Sequence, residues 1–452
     1  MLLTVAADGG DHTTVREALA AAEPGARVVV RAGRHVGDLR IDKAIALVGE
    51  GGRDAVVIQG SVTITSDCEL RGVTIAEPTG HGLIVRGPKA DPLVVDVRVR
   101  DGAQIGIYVS GGARGRFERC DVAGSGWSNV EIRDEGSEPT LCHCRILDGK
   151  RGGVYIHSSA KATLSDCELG GSALANLFVQ SQADPTLLRC RLHDGKEGGM
   201  MALDGGKGTL EECELFGNAL SGVELREGAT TTLVRCTVRN GRGHGLYCHD
   251  DARGELWECA IFANGRSGAL IQSTAAPNLV GCTIRDNRDS GVIFERGGAG
   301  TLLDCTIAEH ATAGIEVRDD GEPRIERCHV EGAGAAGVEC EDGGRGRFED
   351  CMIVRAGAAG VAVGKNAAPE LVRTSVEAAL VGVSVADGGS VTVEDCRVRG
   401  RAVAGVSVRR SGTIKLMRSH IFGGRFGIYS DHPGGQTVEQ CEVTIDGNPV
   451  AP

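Results

Sequence analysis

Short segments of alternating apolar and polar residues recur about every 23 residues along the chain, a spacing typical of solenoid repeats. Most repeats carry a cysteine that is followed two residues later by Val, Ile or Leu, as in Cys213-Glu214-Leu215. Because alternate side chains of a β-strand point to opposite faces, the cysteine and its apolar partner share one face. We predict that this face is the protein interior. The cysteines of this column are Cys120, Cys144, Cys167, Cys190, Cys213, Cys236, Cys259, Cys282, Cys305, Cys328, Cys351, Cys396 and Cys441.

Two further apolar segments complete each repeat. An apolar-x-apolar triplet follows a Gly, as in Gly222-Val223-Glu224-Leu225, and another apolar segment ends three residues before the next cysteine, as at Leu233. We call the segment after the cysteine the first strand, the triplet the second strand, and the segment before the next cysteine the third strand. Gly and Asn between them are typical turn residues. The pattern predicts an all-β fold, a single-stranded right-handed parallel β-helix (solenoid) of about seventeen coils.

The first residues differ from the repeats. Thr14-Val15-Arg16-Glu17 matches a capping box, and Val15, Ala18 and Leu19 form an apolar helical stripe. A short helix is therefore predicted to cover the open end of the first coil, since terminal repeats need a cap. We predict an N-terminal cap with the first coils at residues 1–60, the β-helix at 61–445, and a tail or linker at 446–452. No cap helix follows, so we expect a fused domain or a stacked partner at that end.

A resemblance to a known family rests on these same segments. The stretch from Asp8 to Gly52, which includes VREALAAAEPGARVVVRAG and IDKAIALVGEGG, resembles the right-handed β-helix repeat family of the pectate-lyase-like superfamily, as do the repeats through Cys441. The resemblance covers almost the whole chain. It implies the fold strongly and the activity weakly, because that superfamily contains polysaccharide lyases, glycoside hydrolases, esterases, epimerases and plain binding modules.

Composition narrows the possible partners. The formal net charge of −12 argues against nucleic acid, which is normally bound by clustered Lys and Arg. The chain has neither a signal-peptide pattern nor an apolar run long enough to cross a membrane, so we expect a cytoplasmic protein without membrane contact. Most of the 17 cysteines fall at interior positions, which favours reduced thiols over disulfides or a metal site. No metal and no other cofactor is predicted.

Candidate catalytic residues are few. Gly243-His244-Gly245 matches a tripeptide of polygalacturonase-like hydrolases, but the rest of that hydrolase pattern is missing and we interpret His244 as a turn residue. His249 and Asp250 follow in the same repeat, and Asp319 and Asp342 follow second strands of later repeats. A carboxylate with a histidine suits acid–base chemistry on a glycosidic bond. Calcium is expected only if these carboxylates serve a lyase.

The outer face of the second strands gives a second kind of candidate. Its middle residue is predicted to face solvent, and apolar residues at this position would form a stripe on the order of 30 Å long at about 4.8 Å per coil. Aromatic and Met residues rimmed by polar groups suit a protein partner or the apolar faces of sugar rings. The residues of this stripe are Tyr155, Phe178, Met201, Tyr247, Leu270 and Ile293.

Two functions are compatible with these sequence patterns. The main prediction is a non-catalytic scaffold that binds a protein partner or an extended polysaccharide along its strand faces, because repeats of constant length lack the loops that usually wall an active site. The alternative is a polysaccharide lyase or glycoside hydrolase of the pectate-lyase-like superfamily. Since no complete catalytic motif is present, the sequence does not decide between them.

Overall fold

The computed structural model describes residues 1–430 and 437–450. It consists of two compact units, unit 1 over Met1–Leu220 and unit 2 from Ser221 onward. In both units short parallel strands follow one another in coils of three, and the two units together hold about 19 turns spaced about 23 residues apart. The predicted parallel β-helix is therefore confirmed, and the predicted number of coils is slightly too low.

Unit 1 contains one helix and the first 27 strands. The helix spans Val15–Ala21. The third strands are Leu2–Val5, Arg27–Val30, Ala46–Gly49, Glu69–Arg71, Leu93–Val95, Arg116–Glu118, Thr140–Cys142, Lys161–Ser165, Asp184–Leu188 and Thr209–Glu211. The first strands are Gly33–Val36, Val56–Gln59, Thr74–Ala76, Arg98–Arg100, Asp121–Ala123, Arg145–Leu147, Glu168–Gly170, Arg191–His193 and Glu214–Phe216. The second strands are Leu39–Ile41, Val62–Ile64, Leu83–Arg86, Ile107–Ser110, Val130–Arg133, Val154–His157, Leu177–Val179 and Met200–Ala202.

Unit 2 continues the same order of strands. Its second strands are Val223–Leu225, Leu246–Cys248, Ala269–Ile271, Val292–Phe294, Ile315–Val317, Val338–Cys340, Ala359–Val363, Val381–Val385 and Ala404–Val408. Its third strands are Thr232–Val234, Glu255–Trp257, Asn278–Val280, Ala299–Leu303, Glu322–Glu326, Arg347–Glu349, Glu370–Val372, Ser390–Glu394, Thr413–Met417 and Thr437–Cys441. Its first strands are Thr237–Arg239, Ala260–Phe262, Thr283–Arg285, Thr306–Ala308, His329–Glu331, Met352–Ala356, Ser375–Ala378 and Arg397–Gly400. Two longer strands, His420–Ser430 and Thr444–Val450, close the described chain, so the predicted tail is strand as far as Val450.

Equivalent residues of successive coils pair in parallel register. On the third strands of unit 1, for example, Leu141 pairs with Leu164, Leu164 with Leu187, and Leu187 with Leu210. All four of these side chains are buried. The same stacking places the middle residues of the second strands side by side on the outer face, which is where the candidate site lies.

The cysteine column lies in the interior as predicted. Its thiols donate to backbone carbonyls; Cys282 Sγ, for example, lies 3.5 Å from Leu256 O. Thr374 and Ser419 occupy the column where the cysteine is missing, and their hydroxyls donate to carbonyls in the same way. The interior position predicted for Cys441 is wrong, because this residue is exposed at the end of a strand that pairs only with Thr413–Met417 among the described residues.

The N-terminal helix has the predicted capping box. Thr14 Oγ1 accepts from the backbone N–H of Glu17, and the Glu17 carboxylate accepts from the backbone N–H of Thr14. Val15, Ala18 and Leu19 are buried, and the helix packs against the strands of the first coil. No helix of the described residues has the length and apolar character needed to cross a bilayer.

Candidate functional site

The residues of the predicted stripe lie on second strands of both units, and their side chains are half-buried or buried rather than exposed. Tyr155 pairs in register with Phe178 in unit 1, and Tyr247 pairs with Leu270 in unit 2. Ile293 is only 4% exposed because Leu270 and Glu316 lie in register on either side of it. The prediction that Ile293 faces solvent is therefore wrong. Met201 is half-buried beside Phe178.

In unit 1 the outer face of the second strands forms the floor of a groove. The groove has a volume of about 360 Å³, and its lining includes the rings of Trp127, Tyr155 and Phe178. Trp127 belongs to the turn before a second strand and is 53% exposed. The rings of Tyr155 and Phe178 meet edge to face at 6.2 Å. These three rings give the groove an aromatic surface that is open to solvent.

A histidine and a glutamate pair at the floor of this groove. His157 Nε2 lies 3.3 Å from Glu131 Oε1, and His157 Nδ1 lies 2.9 Å from the hydroxyl of Ser158. The imidazole also stacks on the ring of Tyr155, with 4.4 Å between centroids. Parallel register explains the cluster: Glu131 is the in-register neighbour of Tyr155, and His157 follows Tyr155 by two residues on the same face. We call Glu131, Tyr155 and His157 the groove cluster.

The charges around the groove cluster are mixed. Burial and the neighbouring Glu131 raise the pKa of Tyr155, while Arg133 opposes the shift. Tyr155 is therefore a protonated phenol at neutral pH, able to donate its proton. Arg151 lies over the Trp127 ring with 6.0 Å from Cζ to the ring centroid, at the edge of the groove.

Unit 2 contains a cluster of the same design, formed by Glu224, Tyr247 and His249. His249 Nε2 lies 3.3 Å from Glu224 Oε1, and the His249 ring stacks on Tyr247 with 4.2 Å between centroids. Here the Nδ1 partner is a carboxylate, Asp250 Oδ2 at 2.8 Å. Gln272 Nε2 donates to the Tyr247 hydroxyl at 2.5 Å. We call Glu224, Tyr247 and His249 the unit 2 cluster.

The second carboxylate changes the charge state of this histidine. Burial lowers the pKa of His249, but hydrogen bonds to Glu224 and Asp250 outweigh burial and raise the pKa above its ordinary value. His249 therefore carries its positive charge to a higher pH than an unperturbed histidine does.

An NMR titration of the His249 imidazole should show this raised pKa, and Asp250→Asn should lower it. The charged histidine stabilises the fold fully below the ordinary pKa of about 6.5, and this contribution is lost as the pH rises through the higher pKa of the folded protein. The loss of stability caused by Asp250→Asn in urea unfolding should therefore shrink as the pH rises through that range. Asp251→Asn is the matched control because Asp251 accepts from Thr274 instead. A His249 pKa at or below the ordinary value would contradict the assignment.

The structure brings together only part of the predicted catalytic set. His249 and Asp250 are in contact, whereas Asp319 and Asp342 lie on exposed turns of later coils with left-handed backbone, φ 48° and 45°. Turns of this kind favour Asp for conformational reasons. Within residues 1–430 and 437–450, no group of three or more His, Cys, Asp or Glu side chains is placed to hold a metal ion.

Glu131 and Glu224 of the two clusters are not among the site residues predicted from the sequence, and neither is Trp127 at the groove. A signal was available: Tyr155-Ile156-His157 recurs four repeats later as Tyr247-Cys248-His249, and each is preceded one repeat earlier by a glutamate. His249 is among the catalytic residues predicted from the sequence, whereas His157 is not.

The coil geometry defines a parallel β-helix protein. A family model described as "Right handed beta helix region" matches residues 40–173, 137–256 and 221–376, which together make up more than half of the chain. The chain belongs to this family. No curated protein matches it.

Solved structures with a similar fold carry the names of different enzymes. A pectate lyase is 11% identical, with 58% of this chain and 76% of that chain covered and a TM-score of 0.40. A periplasmic alginate epimerase is 12% identical over 65% and 80%, with a TM-score of 0.42. A pectin methylesterase from Erwinia chrysanthemi is 15% identical over 47% and 78%, with a TM-score of 0.34.

Proposed function

We propose that the groove of unit 1 binds a uronate-containing polysaccharide and that the groove cluster cleaves it by β-elimination. One observation carries the proposal: a tyrosine, a histidine and a glutamate that contact one another lie at the floor of an aromatic groove. Residues able to give and to take a proton are thus placed within reach of one bound sugar.

The lining of the groove suits a charged sugar chain. The rings of Trp127, Tyr155 and Phe178 can pack on the apolar faces of sugar rings. Arg151 at the edge supplies positive charge, and so does Arg133 beside Tyr155, whose guanidinium also pairs with Asp134 at 3.1 Å. Guanidinium groups pair well with carboxylates, so these two arginines favour uronates over neutral sugars.

The proposed reaction uses two proton transfers. With Nε2–H donated to Glu131, the lone pair of His157 is on Nδ1, where the Ser158 hydroxyl is its present partner. Nδ1 takes the proton from the carbon next to the uronate carboxylate, and the electron pair forms a carbon–carbon double bond. The bond from the ring to the glycosidic oxygen breaks, and Tyr155 donates its proton to that oxygen. Glu131 stabilises the imidazolium that results.

Hydrolysis is less well supported by the same groove. Hydrolysis of a glycosidic bond normally needs two carboxyl groups on opposite sides of that bond. In the described part of the chain, Glu131 is the one carboxylate that lines the groove. A lyase is therefore the better proposal of the two enzyme classes.

A non-catalytic scaffold is the second candidate, and the short turns between the strands favour it. The groove is bounded by turn residues such as Trp127, Arg151 and Leu174 rather than by long loops. A binding protein would use the same aromatic surface, and the Glu131–His157 pair would then only hold that surface in place.

Incubation of the full chain with polygalacturonate and alginate tests the proposal. We expect products with a new carbon–carbon double bond, measured by their ultraviolet absorbance, and chain shortening measured by size. New reducing ends without the double bond would show a hydrolase instead. Binding of either polymer without any product would support the scaffold and overturn the lyase.

A further inference from the structure

We propose that unit 2 carries a second carbohydrate-binding site, at which His244 and Tyr247 hydrogen-bond the hydroxyl groups of a neutral sugar. The site goes beyond the function proposed for unit 1 and does not depend on catalysis there. His244 has a buried nitrogen without a hydrogen-bond partner among the described residues, it stands where neighbouring coils have serine, and carboxylates surround Tyr247.

His244 has hydrogen-bonding capacity that the protein does not use. The residue is 9% exposed, and its Nδ1 atom has no hydrogen-bond partner among the described residues. Its ring lies 6.0 Å from the ring of Tyr247, measured between centroids. Burial lowers the pKa of His244 to about 4, so the imidazole is neutral at neutral pH. A buried polar atom without a partner is unfavourable, and a ligand group that reaches it would remove the penalty.

Tyr247 supplies the complementary group. Its hydroxyl oxygen accepts from Gln272 Nε2 at 2.5 Å, which leaves the hydroxyl hydrogen available to donate. In a neutral imidazole Nδ1 either accepts or donates, according to the tautomer. A sugar hydroxyl can satisfy both tautomers because it donates and accepts, whereas a carboxylate can only accept. The pair His244 and Tyr247 therefore fits adjacent hydroxyl groups.

The fold does not require a histidine at this position. The equivalent turn residue in neighbouring coils of unit 2 is serine, at Ser221, Ser267 and Ser290. In unit 1 the residue before the same Gly-x-Tyr-x-His pattern is Gly152, which leaves the groove there open. His244 is therefore a large polar side chain beside Tyr247, at a position where a small residue is sufficient to form the coil.

The charges around Tyr247 distinguish this site from the groove of unit 1. Glu224, Asp250 and Glu295 act on Tyr247 together with Arg296, and Asp289 and Glu295 act on His244 together with Arg266. His249 adds a further positive charge that its two carboxylate partners largely offset. Carboxylates predominate, so a uronate would be repelled more than a neutral sugar. Leu270, in register with Tyr247, offers an apolar surface for the face of the ring.

Titration of the full chain with cellotriose, mannotriose, xylotriose and trigalacturonate, followed by calorimetry and by the ¹⁵N shift of the His244 imidazole, tests the site. At least one neutral trisaccharide should bind and shift His244. Trigalacturonate, which the groove of unit 1 would bind, should leave the His244 shift unchanged. His244→Ser and Tyr247→Phe should each weaken that binding about tenfold, roughly the loss of one hydrogen bond. Ser267→Ala, at the same turn position one coil later, should leave it unchanged.

The outcomes separate this proposal from the one for unit 1. If no neutral trisaccharide binds, or if binding survives both His244→Ser and Tyr247→Phe in folded protein, the second site does not exist. Cleavage of uronate polymers together with that result would overturn the second site alone. Neutral-sugar binding that depends on His244, without cleavage of any uronate polymer, would support the second site and overturn the lyase.

Discussion

Replacement of His157 by alanine is expected to lower kcat on a cleaved uronate polymer by roughly 10²–10⁴-fold, the range that general acid–base catalysis contributes. The variant lacks the Nδ1 lone pair that takes the proton from carbon, and water in the vacated space is a poorer base. KM should change little, because the aromatic rings of Trp127 and Phe178 that would bind the sugar remain in place. Steady-state rates of double-bond formation measure both constants.

Tyr155→Phe provides the matched test of the proton donor. It removes one oxygen and keeps the ring that stacks on His157 and meets Phe178, so a fall in kcat would report proton donation rather than packing. Trp257→Ala is the control, since Trp257 is an exposed aromatic residue of a third strand. If both His157→Ala and Tyr155→Phe keep most of the parent kcat while folded, the groove cluster is not the catalytic site.

The sequence predicts which face of the strands carries the residues of the groove cluster, but it does not predict the contacts between them. Period-two alternation and the repeat put Tyr155 and His157 on the outer side of one strand, and register puts Glu131 beside Tyr155. The hydrogen bond from His157 to Glu131 runs diagonally between neighbouring strands, and it depends on side-chain rotamers that a repeat does not specify. The half-burial of the stripe side chains could not be predicted for the same reason. It arises because long side chains stacked in register cover one another.

The fold was far more predictable than the site because each coil repeats the same few constraints. The capping box at Thr14 and Glu17, the cysteine column and the turn residues are local signals that agree with one another. Prediction failed at the end of the chain, where Cys441 is exposed. There Cys441 pairs with Met417, and the next strand pairs His420 with Thr444, so the position equivalent to Ser419 lies two residues after Cys441. The repeat spacing therefore assigned Cys441 to the wrong position of the coil.

Cys282→Asp is expected to destabilise unit 2 by about 3–5 kcal/mol, the typical cost of leaving an uncompensated charge in a protein interior. Cys282 is fully buried, and its thiol donates to the carbonyl oxygens of Leu256 and Val280. A carboxylate at this position would face those two carbonyl oxygens, which cannot donate to it. Urea unfolding followed by circular dichroism measures the loss, and the loss should become smaller at acid pH, where the protonated carboxyl group can again donate.

Cys282→Thr separates the hydrogen-bonding role of the column from its packing role. Thr374 occupies the same column, and its hydroxyl donates to Phe348 O at 3.1 Å and to Val372 O at 3.0 Å. Because this geometry already exists in the fold, Cys282→Thr should cost no more than about 1 kcal/mol, within the net value of a single hydrogen bond. A loss as large as that of Cys282→Asp would mean that the contacts of the sulfur atom hold the coils together. A threonine variant as stable as the parent would show that the column needs only a small buried donor facing two carbonyls. The twelve buried cysteines of the column would then be one solution to that requirement among others, as Thr374 and Ser419 already indicate.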